Sequence, residues 1–256
     1  MPVAVILGSA FSQGLEQAAE PVVCLTPFGE VTLHRAERGW VLFRHGLPHR
    51  WLPNQIPYRA QAWALHAQGV EALLVTSSVG VLNPYLPLFM PMLVSDVVML
   101  ENRLPDGSAC TMFPTPTEGQ GHLVLEEGLL SGALKAQLRA LADDEGVPLP
   151  QREVVFSYAQ GPRTKTAAEN ALLARQGMEV NSMTLAPELV LANELGIPAA
   201  ALVVGHKRSV PGGPTLSDAD IAGSLERSNA AMSRIVRAFL ARGAPVPFGN
   251  RLYRFG

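Results

Sequence analysis

Val154-Val155-Phe156-Ser157-Tyr158-Ala159-Gln160-Gly161-Pro162-Arg163-Thr164-Lys165-Thr166-Ala167-Ala168-Glu169 opens the stretch, running on to Lys207, whose reading decides the fold. Its first five residues are apolar, β-branched or aromatic, as in a strand, and the Gly161-Pro162 pair marks a loop after them. Thr166-Ala167-Ala168-Glu169 spells a capping box, in which the Thr oxygen and the Glu carboxylate satisfy first-turn amides. A helix therefore starts there and runs to Gln176, with Gly177 in the position that stops helices by turning left-handed. Met178 to Met183 forms a second strand. After Thr184 comes a second helix, with Pro187 and Glu188 in its first turn and Gly196 past its end. Ile197 to Val204 is a third strand.

Strand, helix, strand, helix, strand within roughly fifty residues predicts a parallel sheet with crossover helices, whose ligands gather at the carboxyl ends of the strands. That brings together the turns Gly161 to Thr166, Met183-Thr184 and Gly205-His206-Lys207. Two of the three open helices, whose free amides and dipole favour an anion. The stretch reads as half of an anion-binding active site.

Working outward, Val3 to Leu7 is strand-like and delivers Gly8-Ser9-Ala10, a small-residue turn that either lets backbone approach a ligand or is simply tight. Gly8 to Gly14 lacks the Lys-Ser/Thr ending of a phosphate loop and the spacing of a dinucleotide fingerprint, so no nucleotide cofactor is expected. Thr26-Pro27-Phe28-Gly29 is a turn, and strands follow through Val41-Leu42-Phe43. They end at Arg44-His45-Gly46, with His49 and Arg50 just beyond. Arg offers a planar fork and His a further polar contact, a pairing suited to a dianion when it falls at a strand end. Tyr58 to Gln68 forms a helix closed by Gly69. Leu73-Leu74-Val75 is a buried strand, and Thr76-Ser77-Ser78-Val79-Gly80 reads as a hydroxyl-rich turn at its end, suited to phosphate or sugar oxygens. Leu93 to Leu100 is a further strand.

Leu104 to Gly121 reads as a long loop, the kind that forms a lid or a contact surface, and His122 follows it. A single histidine of this kind is either a packed residue or a catalyst. Beyond the central stretch, Pro211-Gly212-Gly213 breaks the chain before a helix capped near Ser217-Asp218, which keeps Ile221, Leu225, Met232, Ile235, Val236 and Phe239 near one stripe and stops at Gly243.

The bulk properties agree with one large α/β domain over residues 1–256. The chain is 48% hydrophobic with a mean hydropathy of +0.17, and 256 residues lie near the upper size of a single core. A formal charge of −2 without a basic stripe makes nucleic acid and anionic membrane poor partners. Gly, Pro or charge interrupts every apolar run, so no segment is expected to span a bilayer. The start lacks a signal peptide's basic residues and cleavage site, which points to the cytoplasm. Cys24 and Cys110 stand far apart without metal or redox spacing, so no metal is expected. No Gly-x-Ser-x-Gly elbow surrounds Ser9, Ser77 or Ser78, which weighs against a serine hydrolase.

With these turns located, the sequence resembles the trimeric nucleoside phosphorylases over nearly the whole chain, most closely their methylthioadenosine phosphorylase branch. The resemblance rests on Gly8-Ser9, Thr26-Pro27-Phe28-Gly29, Arg44-His45-Gly46 with His49, the Tyr58 to Leu65 helix and Val75-Thr76 to Gly80. Most specific are Gln160-Gly161-Pro162-Arg163, Ala168-Glu169 and Met183-Thr184-x-x-Pro187-Glu188, in that order and spacing. It implies a single α/β domain with a central mixed, mostly parallel sheet flanked by helices, a homotrimer, and no cofactor beyond inorganic phosphate as co-substrate. It implies phosphorolysis of the N-glycosidic bond of a purine nucleoside or 5′-methylthio nucleoside, releasing the base and ribose 1-phosphate or its 5-methylthio analogue.

The family's phosphate site maps onto Ser9, Arg44, His45, the amide of Ser78, and Thr184. Met183 falls under the ribose, and Ser77 and Gly80 lie near sugar and base. Arg44 and His45 carry the phosphate chemistry, and His122 is placed to complete a neighbouring subunit's pocket. The base half departs from the family. Thr164 stands where an aromatic residue packs on the base, Lys165 where purine-selective members have Glu, and Gly205 where Asn or Asp meets the purine. Asp218 is polar at the 5′ position, where the methylthio branch is apolar. His206 and Lys165 are either replacements for the lost leaving-group contacts or incidental loop residues. The alternative reading is a non-catalytic relative that binds a phosphate-bearing or acidic ligand, since Lys165, His206, Lys207 and Arg208 add positive charge where a neutral base would sit.

Overall fold

Strand β5 (Ala72–Val81) is the axis of the architecture, and every element that shapes the cavity is placed relative to it. In the computed structural model residues 2–8, 20–36, 38–211 and 218–254 are described, without the side chains of residues 218–222. One edge of β5 pairs in parallel with β10 (Ala199–Arg208) along its whole length. The other edge changes partner. Residues 72–75 run parallel to β1 (Val3–Leu7), while Gly80 and Val81 run antiparallel to β9 (Val180–Ser182). Beyond β1 come β4 (Gly39–Phe43), β3 (Gly29–Arg35) and β2 (Glu20–Thr26); beyond β9 come β8 (Val154–Tyr158) and β6 (Pro91–Val98). Because β10 also pairs with β6, the strands β5, β10, β6, β8 and β9 close a ring at one side of a nine-stranded mixed sheet. A small antiparallel pair, β7 (Gly121–Val124) with β11 (Arg251–Arg254), stands apart.

The chain is thus a single α/β domain, as expected, but its central stretch is not uniformly parallel. β8 and β9 are parallel neighbours joined through helix α3 (Ala167–Arg175). β9 and β10, joined through α4 (Ala186–Glu194), are separated by β5 and run in opposite directions. Two expected turns are also strand: β5 continues through Thr76–Gly80 to Val81, and β10 through Gly205 to Arg208. Hydrogen-bonded pairing with β10 holds both extended, which outweighs the turn propensity of their small and polar residues.

Both faces of the sheet are covered, so its central strands are apolar throughout instead of alternating. Ala4, Ile6, Leu73 and Val75 face helices α1 (Tyr58–Ala67) and α4. Val3, Val5, Leu7 and Leu74 face α2 (Gly132–Asp144) and α5 (Asp218–Arg242), against Leu134, Leu138, Ile235 and Phe239. α2, capped by Ser131, has no counterpart in the sequence reading. The loop between β6 and β7 buries Leu104, Cys110 and Met112 against Tyr58, Val190 and Leu191, and Arg59 ties it down through the carbonyls of Ala109 and Thr111. No helix among the described residues is long and apolar enough to cross a membrane.

Candidate active site

The change of partner along β5 opens the site. β1 arrives with its register at Ile6↔Val75 and β9 with its register at Asn181↔Gly80, so the two strands point their carboxyl ends at each other along one edge. Ser77, Ser78 and Val79 lie opposite the gap between them. The Ala72 amide donates to Pro2 on the β1 edge. Strand alternation turns the Ser78 amide toward that same edge, and hence into the gap. A cavity of about 720 Å³ opens here; its lining includes Gly8, Arg44, His45, Ser77, Ser78 and Thr184, taken below as its first end, where Gly8 bonds Thr76 of β5, and Thr164, Lys165, His206, Lys207 and Arg208, taken as its second, where β10 pairs with Gly80 and Val81.

The first end is rigidly prepared. Arg44, at the carboxyl end of β4, is fully buried. Its Nε and Nη2 donate to the two carboxylate oxygens of Glu188 at 2.5 and 2.7 Å, both side chains being at most 2% exposed. Gln61 on α1 donates to the Arg44 carbonyl at 2.8 Å. Nη1 passes beside Gly8, where a Cβ would stand 3.2 Å from it and crowd the guanidinium. Thr76 locks the neighbouring backbone, accepting from the Gly8 amide and donating to Ile6, each at 3.1 Å. Glu188 is an isolated carboxylate in a helix otherwise buried from Ala186 to Asn193. A charge in such a helix requires a partner, and that was the legible sign of this ion pair, which sequence reasoning missed.

Thr184 sits before a strained turn. Leu185, at φ 77° and ψ −53°, is a non-glycine residue in a γ-turn closed by the Ala186 amide donating to the Thr184 carbonyl at 3.0 Å. The turn ends β9 and begins α4 at once. A chain of hydroxyls runs along the gap, with Ser77 to Ser182 at 3.0 Å and Ser182 to Thr184 at 3.4 Å. His45 bonds through Nδ1 to the Trp51 carbonyl at 2.8 Å and stacks on His49 at 4.5 Å. A carbonyl only accepts, so Nδ1 carries the proton. Burial, reinforced by the charges of Arg44 and His49, brings the His45 pKa down to about 4, and the ring is neutral at pH 7.

The two helix starts contribute unequally. The α3 capping box forms as expected, with Thr166 Oγ1 accepting from the Glu169 amide at 3.2 Å and Glu169 accepting from the Thr166 amide at 2.7 Å. Glu169 also grips Arg163 on the exposed side. These amides are already used, whereas α4 has no side-chain cap. The anion-favouring helix start is that of α4.

At the second end, Lys165 Nζ donates to the Gln160 carbonyl at 3.1 Å, and His206 Nδ1 meets Ser78 Oγ at 3.1 Å while its ring stacks on Phe89 at 6.0 Å. Burial lowers the His206 pKa. Met183 packs against Gly161, where a Cβ would lie 2.7 Å from its sulfur. Gly80 is at the wall, beside Asn181 and Ser209. Asn170 and Asn181, bonded to each other at 3.0 Å, also line the cavity, which the sequence reading did not foresee.

Gly205 is the displaced residue among the expected ones. A side chain there would overlap Val81 and press on Leu88, away from the cavity. The ladder slips between Gly205 and Lys207, a bulge that directs His206 inward in its place. His122 lies outside the cavity, exposed on β7 opposite Tyr253. Ser9 and the Asp218 side chain fall outside the described residues. No group of three or more His, Cys, Asp or Glu able to hold a metal ion occurs among the described residues.

A profile of the phosphorylase superfamily matches residues 2–241. A probable S-methyl-5′-thioinosine phosphorylase of Pseudomonas syringae pv. tomato is 34% identical over 180 residues, covering 70% of this chain and 71% of that protein. An S-methyl-5′-thioadenosine phosphorylase of Pyrococcus horikoshii is 31% identical over 206 residues, 77% of this chain and 76% of the relative. Among solved structures, the methylthioadenosine phosphorylase of Schistosoma mansoni in complex with adenine superposes with a TM-score of 0.80 at 22% identity, over 94% of this chain and 91% of that one.

Proposed function

We propose that this chain, which belongs to the phosphorylase superfamily, is a pentosyltransferase that uses inorganic phosphate to cleave the N-glycosidic bond of a purine nucleoside or 5′-methylthio nucleoside. The products are the free base and ribose 1-phosphate or its 5-methylthio analogue. The observation that carries the reading is the prepared end of the cavity. Arg44, held in plane by Glu188, stands there with His45, Ser78 and Thr184 around one void. Such a set binds a compact oxyanion through charge-assisted bonds.

The reaction then follows from position. Phosphate held at Arg44 and Thr184 attacks C1′ of a pentose lying over Met183 and Ser77, on the face opposite the base. The new bond is C1′ to phosphate oxygen; the C1′–N bond breaks and its electron pair stays with the base, the sugar passing through an oxocarbenium-like state. The phosphate dianion lies beneath that developing positive charge. Fixing the two reactants contributes up to roughly 7–11 kcal/mol in well-oriented systems. Neutral His45 offers Nε2 as an acceptor, which favours a phosphate form that still carries a P–O–H. His206 stands at the leaving group: with Ser78 donating to Nδ1, its own proton sits on Nε2, from which it reaches the departing nitrogen.

No cofactor is required. The same reading includes a cytoplasmic place in purine salvage and a homotrimer in which His122 and the loop before it complete a neighbour's pocket; the exposure of His122 outside its own cavity supports this. The deciding experiment measures base release from a panel of purine and 5′-methylthio nucleosides with and without phosphate. Phosphate-dependent turnover is expected. Tight binding of a phosphorylated ligand without turnover on any nucleoside would overturn the reading in favour of a non-catalytic anion-binding protein.

A further inference from the structure

We propose that the leaving-group end of the cavity is built for a base that itself bears a negative charge, an acidic heterocycle and not a neutral purine. The inference rests on the phosphorolysis reading and names the substrate class of that same site.

The charges around the cavity are one-sided. Arg44, Lys165, Lys207 and Arg208 line it, and no Asp or Glu does among the described residues. Glu188 answers the charge of Arg44, but no ion pair joins Lys165, Lys207 or Arg208 to a carboxylate among the described residues. Arg208 is the most telling. Among the described residues its Nε and Nη1, shielded from solvent, have no hydrogen-bond partner, and its Nη2 reaches only the Leu86 carbonyl at a long 3.5 Å. Buried donors of a charged group left unsatisfied are costly, and the unanswered guanidinium charge favours an anion in the cavity that Arg208 lines. Lys165 spends one of its three donors on Gln160 and keeps two for a ligand.

The backbone assembles this cluster. Along a regular strand only alternate residues would face the cavity, yet His206, Lys207, Arg208 and Ser209 all line it. The slip of register between Gly205 and Lys207 breaks the alternation at His206, and Lys207, Arg208 and Ser209 join the same lining where β10 ends. Along β5 that space lies at Gly80 and Val81, beyond Ser77 from Thr76, which bonds the Gly8 that stands beside Arg44. A pentose over Ser77 and Met183, attacked from the Arg44 side, holds its base toward Lys165 and Arg208. When the C1′–N bond breaks, its electron pair adds negative charge to the base. Cations already gripping an ionised substituent are in place as that charge develops, whereas a neutral purine offers them no such grip before the bond breaks.

The test compares kcat/KM for phosphate-dependent release from xanthosine, whose ring ionises, and from orotidine and nicotinic acid riboside, which carry carboxylates. Inosine, adenosine and 5′-methylthioadenosine are the neutral set, and inosine 5′-monophosphate the control for a charge carried on the sugar. At least one acidic base is expected to exceed every neutral one by about ten- to a hundredfold. Lys165→Met and Arg208→Gln should each pull that ratio toward one. Xanthosine against the two carboxylates separates ring ionisation from a carboxylate substituent. Neutral nucleosides cleaved as well as the acidic ones, a ratio unmoved by both substitutions, or preference for the 5′-phosphate would overturn the proposal while leaving phosphorolysis intact. If no riboside turns over, phosphorolysis fails, and the inference is then read by calorimetry with phosphate present. Orotate, nicotinate and xanthine binding more tightly than nicotinamide and hypoxanthine would uphold it; equal binding would overturn it.

Discussion

The two ends of the cavity are built on opposite principles. At the Arg44 end nearly every polar group already has a protein partner: guanidinium with Glu188, carbonyl with Gln61, Thr76 with Gly8 and Ile6, His45 with Trp51. At the Lys165 end the cations rest on single carbonyls or, in Arg208, on almost nothing. The first arrangement leaves a few donors fixed in space and spends no reorganisation on binding, which suits a co-substrate that never changes. The second leaves charge to be satisfied by whatever is bound, which suits the part of a substrate that varies between relatives. Its loop also tolerates sequence change better than paired strands do.

The largest effects should come from breaking the prepared end. Glu188→Ala leaves Arg44 charged and buried without its partner, and removing one member of such a pair costs about 3–5 kcal/mol. Chemical denaturation should register that loss, and phosphate-dependent turnover should fall with it. Arg44→Ala should lower kcat/KM by about 10²–10³-fold, the range for a single oxyanion donor. Substitutions of Lys165 should cost far less stability, because its ammonium rests on one carbonyl. If Glu188→Ala denatures like the wild type, the contrast between the two ends fails.

The prepared end was largely legible in the sequence, and the other end was not. Arg44-His45 after a strand, the hydroxyls of Ser77 and Ser78, and Thr184 before Pro187-Glu188 are residue types whose chemistry shows in a linear reading. The capping box at Thr166 was legible for the same reason and formed as read. What escaped was pairing across the sheet. β5 joins β1 and β9 end to end on one edge, and a local window at Thr76–Gly80 sees only small polar residues and reads a turn. The bulge in β10 escaped as well, since one slipped residue exchanges Gly205 for His206 at the cavity without any signal in composition.

That exchange yields a prediction of intermediate size, which sharpens the contrast at the second end. Gly205→Asn places a side chain against Val81 in the wall, away from the ligand, and overpacking of this kind costs about 1–3 kcal/mol. His206→Asn should leave stability nearly intact and alter the relative rates among bases. Denaturation midpoints and a two-base rate ratio distinguish them. An Asn at 205 that changes selectivity without loss of stability would show that β10 is not bulged in solution.

The smallest expected effect is a pH dependence set by the prepared end. His45 has a folded pKa near 4, lowered chiefly by burial, against an ordinary value near 6.5. Between those values the unfolded chain binds a proton that the folded ring refuses, so stability contributed by neutral His45 is complete above about pH 6.5 and declines as pH falls toward 4. His34 and His206 are lowered by burial too and contribute with the same sign. The part belonging to His45 therefore appears as a difference: thermal midpoints of His45→Gln should fall less steeply from pH 6.5 to 4.5 than those of the wild type. Adding phosphate should flatten the wild-type slope further, because a nearby anion favours the protonated ring and raises its pKa. A slope unchanged by phosphate would mean that the anion does not sit beside His45, and the prepared end would lose one of its walls.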